Sequence, residues 1–270
     1  MITARETLKT ARRIVIKVGT STLAHAESGK LNLYRIEQLV REIADLHNAG
    51  KEIIFVSSGA IAAGMGKLSM NAKPQTIPEN QALAAIGQGV LMHIYEKFFA
   101  EYGQTIGQVL LTKENAVDEH QRENCHNALR AILDMGAIPV INENDAVAVD
   151  EIRIGDNDNL SAIVAAMVGA EVLIILTDID GLYDSNPKTN KNARLIDEVP
   201  AIDADIERIA GGAGTKLGTG GMFTKVQAAK HATSNGVTML IVNGGGVGNL
   251  RRALSGEVIG TIFPRRDYHD

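Results

Sequence analysis

What most constrains this chain is a series of short apolar runs that are continuous instead of alternating. Ile14-Val15-Ile16, Ile53-Ile54-Phe55-Val56, Ile106 to Leu111, Ile138 to Ile141, Val172 to Leu176 and Thr238 to Val242 each read as a strand buried on both faces. Between them the apolar residues recur at helical spacing. Ile36, Leu39, Val40, Ile43 and Leu46 mark one helix, and Asn48-Ala49-Gly50 supplies its left-handed cap. Further helices are predicted from about Glu79 to Ala100, from about Asn124 to Met135, around Ser161 to Val168 and near Met222 to Ser234. Successive βα units of this kind predict an α/β fold with a mostly parallel sheet covered on both faces. In such sheets ligands bind beyond the carboxyl ends of the strands.

Five polar clusters fall directly after predicted strands: Lys17-Val18-Gly19-Thr20-Ser21, Ser57-Ser58-Gly59-Ala60, Asn142-Glu143-Asn144-Asp145, Thr177-Asp178 and Asn243-Gly244-Gly245-Gly246. Each alone reads more readily as a turn or a helix cap than as a site, because Ser, Asn, Asp and Gly are what turns use. Their coincidence on one edge of the sheet is the physical signal of a site. The run Gly155-Asp156-Asn157-Asp158-Asn159-Leu160-Ser161 adds carboxylates and amides at the mouth of a helix, more than one N-cap requires. A calcium loop competes for it, but the EF-hand spacing and its distal glutamate are absent. The glycine-rich stretch Gly211 to Lys225 ends in a lysine at a helix start, which suits either a loop closing over a nucleotide or a plain connector. Val147, Val149, Ile152 and Ile154 alternate about Asp150-Glu151 and predict a short projecting hairpin.

Composition excludes several classes. The chain has 270 residues, 45% of them apolar, yet its longest apolar stretch, Ala165 to Leu176, is broken by Glu171 and is too short to cross a bilayer. No secretory signal opens the sequence, and a single cysteine, Cys125, cannot form an internal disulfide, so a cytoplasmic location is expected. With 27 Lys+Arg against 32 Asp+Glu the net charge is -5 and the basic residues are dispersed, which argues against nucleic acid. No G-x-G-x-x-G follows the first strand, and Gly66-Lys67-Leu68 fails the P-loop pattern, which argues against a dinucleotide-binding dehydrogenase or P-loop ATPase. Cys125 and the histidines form no nucleophile or zinc constellation.

Taken in order, Lys17-Val18-Gly19-Thr20-Ser21, Ser57 to Gly64, Ile141-Asn142-Glu143-Asn144-Asp145, Gly155-Asp156-Asn157-Asp158-Asn159, Thr177-Asp178 with Gly181-Leu182-Tyr183, and Gly218 to Met222 with Thr224-Lys225 closely resemble the glutamate 5-kinases, a branch of the amino acid kinase family. The paired motifs Asn142 to Asp145 and Gly155 to Asn159 separate this branch from acetylglutamate kinases, aspartokinases and uridylate kinases. The resemblance implies a three-layer αβα sandwich with an open, mostly parallel sheet, in a single domain over 9–264. Many glutamate 5-kinases carry a C-terminal PUA domain, for which the sequence after Thr261-Ile262-Phe263-Pro264 leaves no room.

The same resemblance implies transfer of the γ-phosphoryl group of ATP, carried with Mg²⁺, to the side-chain carboxylate of L-glutamate, the first step of proline synthesis. Lys17 and Lys225 would bind the transferring group and Asp158 would orient both; Ser58, Asp145 and Asn157 look like the glutamate site. Lys17, Thr177, Asp178, Thr219, Gly220, Gly221, Met222, Phe223, Thr224 and Lys225 resemble the ATP site, and no metal ligand is expected from the protein. Proline as feedback inhibitor, a homo-oligomer and coupling to glutamate-5-semialdehyde dehydrogenase follow as expectations. A kinase of another carboxylate would keep both lysines and differ at Ser58, Asp145 and Asn157. A silent amino-acid sensor would have lost Lys17, Asp158 or Lys225, and all three are present.

Overall fold

The computed structural model of the protein describes residues 3–70, 72, 74–112, 114–115, 118–148, 157–211 and 221–266. In chain order its elements are α1 (Ala4–Thr10), β1 (Arg13–Val18), α2 (Thr20–Leu23), α3 (Leu33–Asn48), β2 (Glu52–Ser57), α4 (Ala60–Lys67), α5 (Ile77–Glu101), β3 (Ile106–Leu111), α6 (Glu119–Asp134) and β4 (Ile138–Glu143). There follow α7 (Asn157–Met167), β5 (Val172–Thr177), α8 (Ala204–Gly211), α9 (Met222–Ser234), β6 (Thr238–Asn243), α10 (Asn249–Leu254) and β7 (Thr261–Phe263). The strands belong to one mostly parallel, seven-stranded sheet flanked by helices, as the continuous apolar runs predict. No described helix is long and apolar enough to cross a membrane.

The chain divides into two compact units, one of residues 18–154 and one of residues 1–17 with 155–270. In the first, the strand order is β3-β4-β2. β3 and β4 run parallel from Ile106↔Ile138 to Leu111↔Glu143, and β2 joins β4 in parallel through Phe55↔Val140. The core side of β2 carries an aromatic cluster, with the Phe55 ring edge-on to Tyr95 at 5.1 Å between centroids and to Phe99 at 6.5 Å. Both partners come from α5, C-terminal to its close crossing with α4. There a Cβ at Gly87 would stand 1.7 Å from the Ala60 carbonyl oxygen, and one at Gly64 only 2.2 Å from that of Leu83. Only glycine lets the two helix backbones approach so nearly.

In the second unit β5 is buried along its whole length and pairs in parallel with β6, from Val172↔Thr238 to Thr177↔Asn243. β7 closes the edge antiparallel to β6. Glu171, the charge that interrupts the apolar stretch before β5, has a structural task. Its carboxylate accepts from the backbone N–H groups of Arg12 and Arg13 at 2.5 and 2.9 Å and so anchors the start of β1.

Several boundaries differ from the sequence reading. α6 begins at Glu119, five residues before the expected start, because Asp118 caps it by accepting from the Gln121 N–H at 2.9 Å. Its first turns are polar and exposed, so apolar periodicity could not mark them. α7 begins at Asn157, which moves Asn157 and Asp158 from a loop into a helical first turn. β4 runs on through Asn142 and Glu143, so the polar cluster starts inside the strand. The segment after β1 coils into α2 at Thr20. The short elements α1, α8, α10 and β7 were not expected; each is too brief for a periodic signal. Val147 and Ala148 close a turn on the Asn144 carbonyl, and the rest of the expected hairpin, Val149 to Ile154, lies outside the described residues.

Candidate functional site

The second unit assembles one charged cluster from three elements far apart in sequence. Lys17 stands near the end of β1, Asp158 in the first turn of α7 and Lys225 in the first turn of α9. All three are buried, at 5, 1 and 5% exposure. The Lys17 ammonium donates to Asp158 Oδ1 at 2.5 Å, and the Lys225 ammonium to Oδ2 at 3.0 Å. Burial by itself pushes the Asp158 carboxyl up, but the charges of Lys17 and then Lys225, with their hydrogen bonds, reverse this and hold it below the usual carboxylate range. The carboxylate is therefore ionised at neutral pH. Two ammonium groups therefore converge on one buried carboxylate, an arrangement that can present positive charge to an anion.

Thr224 contributes to the same cluster. Its hydroxyl lies 2.9 Å from Asp158 Oδ2 and 2.8 Å from the Gly221 carbonyl oxygen, both acceptors, so its single proton is shared between the carboxylate and the helix mouth. The sequence places Thr224 in the expected nucleotide segment; the structure also ties it to Asp158, on which both lysines converge. Asp158 is also held from its own turn, with Ser161 Oγ donating to its carbonyl at 2.6 Å. Gly221 caps α9, Met222 is half-buried and Phe223 is 40% exposed, whereas Thr219 and Gly220 lie outside the described residues.

The carboxyl ends of β5 and β6 form a second polar surface of this unit. The Thr177 hydroxyl donates to Asp178 Oδ1 at 3.2 Å, and the Gly244 N–H to the Thr177 carbonyl at 2.8 Å. Asn243 Nδ2 donates to Asp180 Oδ1 at 2.8 Å, and the Tyr183 hydroxyl to Asp180 Oδ2 at 3.1 Å. Asn243 and Asp180 thus join the ends that the sequence marked through Thr177 and Asp178. The parallel register of β5 and β6 sets Asn243 beside Thr177.

In the other unit, Ser58 is buried just past β2, its N–H donating to the Val18 carbonyl at 3.1 Å. Gly59 follows with φ 103°, a left-handed conformation that turns the chain sharply into α4. Asp145 is half-buried in the turn after β4, a turn anchored by the Asn144 N–H donating to the Leu111 carbonyl at 2.8 Å. Inside β4, the buried Asn142 accepts from the Glu143 N–H through Oδ1 at 2.9 Å and donates through Nδ2 to Gln88 Oε1 at 2.8 Å. Asn157, expected beside Ser58 and Asp145, belongs to the other unit, where it is buried at the start of α7. Among the described residues no group of acidic, histidine or cysteine side chains is arranged to hold a metal ion.

The amino acid kinase family matches residues 12–243 of the chain. The glutamate 5-kinase of Clostridium acetobutylicum is 56% identical over 97% of this chain and 98% of its own length. That of Clostridium tetani is 57% identical, over 96% of this chain and 97% of its own length. The chain covers only 69% of a third, from Carboxydothermus hydrogenoformans, at 56% identity. Among solved structures, the UMP kinase of Bacillus anthracis superposes with a TM-score of 0.64 over 95% of this chain and 97% of its own, and an isopentenyl phosphate kinase with 0.63 over 93% and 99%. At 15% and 19% identity these two speak to the fold alone. By the family match and by its identity to full-length relatives, the chain belongs to the amino acid kinase family and, within it, to the glutamate 5-kinases.

Proposed function

We propose that this protein transfers the γ-phosphoryl group of ATP directly to the side-chain carboxylate of L-glutamate, giving L-glutamyl 5-phosphate for proline synthesis. The observation that carries the reading is the convergence of two buried lysines on the Asp158 carboxylate. A carboxylate is already a nucleophile, so the reaction requires no strong base and no covalent intermediate; it requires two anions to be held in line and their charge neutralised. In this reading Lys17 and Lys225 neutralise the phosphoryl oxygens as charge shifts during transfer, and Asp158 keeps the two ammonium groups aimed. Mg²⁺ arrives on the phosphates of the nucleotide and supplies neutralising charge there; both oxygens of Asp158 are already engaged by the lysines.

Ser58, Asp145 and Asn157 are proposed to bind glutamate, with Asp145 accepting from its ammonium group. Thr177, Asp178 and the segment Thr219 to Lys225 are proposed to bind ATP. The whole of 9–264 is proposed to act as one catalytic domain, in a homo-oligomer in the cytoplasm. An acyl phosphate hydrolyses readily, which favours passing the product directly to glutamate-5-semialdehyde dehydrogenase.

Incubation with ATP, Mg²⁺ and hydroxylamine traps the acyl phosphate as a hydroxamate and tests the substrate. Glutamate is expected to react and N-acetylglutamate to be refused, because acetylation removes the positive charge and leaves Asp145 without its counter-charge. That loss is about 2 kcal/mol or more, roughly 30-fold in kcat/KM. Comparable kcat/KM for the two acceptors would overturn the assignment. The same assay run at limiting glutamate with added proline is expected to show inhibition, since amino-acid recognition lies within this domain; a rate unchanged at saturating proline removes proline as an effector.

A further inference from the structure

Three polar side chains of α5, Gln81, Gln88 and Tyr95, are spaced by seven residues, so they form one row on a single face of the helix with only about 20° of drift per step. Each makes a hydrogen bond to a segment that carries a proposed glutamate-binding residue. Tyr95 lies fully buried with its hydroxyl 2.7 Å from Ser57 Oγ. Ser57 Oγ also lies 2.9 Å from the Ser58 carbonyl, and with its single proton donated there Tyr95 is the donor in the first bond. Burial pushes the Tyr95 phenol up, so it retains that proton throughout the neutral range. Gln88 Oε1 accepts from Asn142 Nδ2, at the end of the strand leading into Asp145. Gln81 Nε2 donates to the Ala148 carbonyl at 3.3 Å, at the far side of the Asp145 turn.

We infer that this row makes α5 a positioning element for the amino-acid site, setting Ser58 through the relay from Tyr95 by way of Ser57 and setting Asp145 through Gln88 and Gln81. The inference rests on the reading of Ser58 and Asp145 as glutamate-binding residues. It goes beyond that reading by giving a role to residues that touch no substrate. The backbone contact of Gly87 with Ala60 and of Gly64 with Leu83 makes the row stiff enough to serve, because α5 cannot slide along α4 without a clash. A plain structural role for Tyr95 would be confined to its ring, which already packs on Phe55.

Tyr95→Phe retains that ring and deletes only the donor. In the full-length enzyme the glutamate KM is expected to rise about 5- to 10-fold, with kcat and the ATP KM within about twofold of wild type. Ser57→Ala breaks the same relay, so Tyr95→Phe introduced into Ser57→Ala should add almost nothing further. Gln88→Met, which removes the acceptor for Asn142, should raise the glutamate KM independently and multiply the effect of Tyr95→Phe. Changes confined to the thermal midpoint, with glutamate KM unmoved, would show that the row is only structural. Full multiplication of the Tyr95 and Ser57 effects would sever the relay. If wild-type enzyme failed to phosphorylate glutamate, the fault would lie with the proposed function and not with the row.

Discussion

Lys225→Met is expected to lower kcat by about 10²- to 10³-fold while the glutamate KM moves much less. Charge on the phosphoryl group redistributes toward the attacking and leaving oxygens during transfer, so a positioned ammonium gains more there than in the ground state. Met keeps most of the stem volume of a side chain that is 5% exposed, so no large cavity opens in the first turn of α9. The cluster charge also favours a folded variant: without Lys225, the pair of Lys17 and Asp158 is neutral, and the carboxylate keeps its 2.5 Å partner. Steady-state kinetics with both substrates varied, beside a thermal melt, separate the two effects. A Lys225→Met enzyme with near wild-type kcat would remove this lysine from the mechanism.

Asp158→Asn acts in the opposite electrostatic direction and should damage the fold as well as the reaction. The shape is kept, but the carboxylate that both Lys17 and Lys225 pair with loses its negative charge. One lysine can still donate to the amide oxygen; the other then faces an N–H₂ that also donates. Breaking a buried pair in this way costs about 3 to 5 kcal/mol, which urea unfolding at pH 7 should report as a lower midpoint with little change in slope. The sign with pH follows from the lowered pKa of Asp158. Its contribution is complete above the ordinary carboxylate range and is lost as pH falls through its depressed value, so wild type and variant should converge only in strong acid. An Asp158→Asn protein as stable as wild type at pH 7 would mean that the lysines find other anions.

The layered fold was legible because a strand buried on both faces leaves a mark that needs no alignment: Ile14 to Ile16 and Val172 to Leu176 are apolar at every step, and both proved to be wholly buried. Lys17, Asp158 and Lys225 were nominated together by a family resemblance, and their meeting within one unit is a result of the fold, since 141 residues separate the first two. What sequence could not show was the work done by residues with bland identities. Thr224 looked like part of a nucleotide loop, and nothing in the sequence marked Tyr95. Their hydrogen-bond partners lie 66 and 38 residues away, and no local pattern encodes such distances. Glu171 was legible only as an interruption, because its backbone partners at Arg12 and Arg13 are reached through sheet pairing.

The unit that holds the two lysines is built from both ends of the described chain, with residues 1–17 completed by residues from 155 onward. During synthesis β1 leaves the ribosome first, but its neighbour β5 and its ionic partner Asp158 do not exist until more than half the polypeptide has been made. The intervening 18–154 stretch has its own three parallel strands and its own helices, so it can gain order before β5 is made. The strand synthesised earliest thus lacks one of its two sheet neighbours until β5 appears, and for that interval one hydrogen-bonding edge of β1 is open. The ordering entropy of so long a closure grows only slowly with length, so the delay bears on nascent-chain survival far more than on final stability.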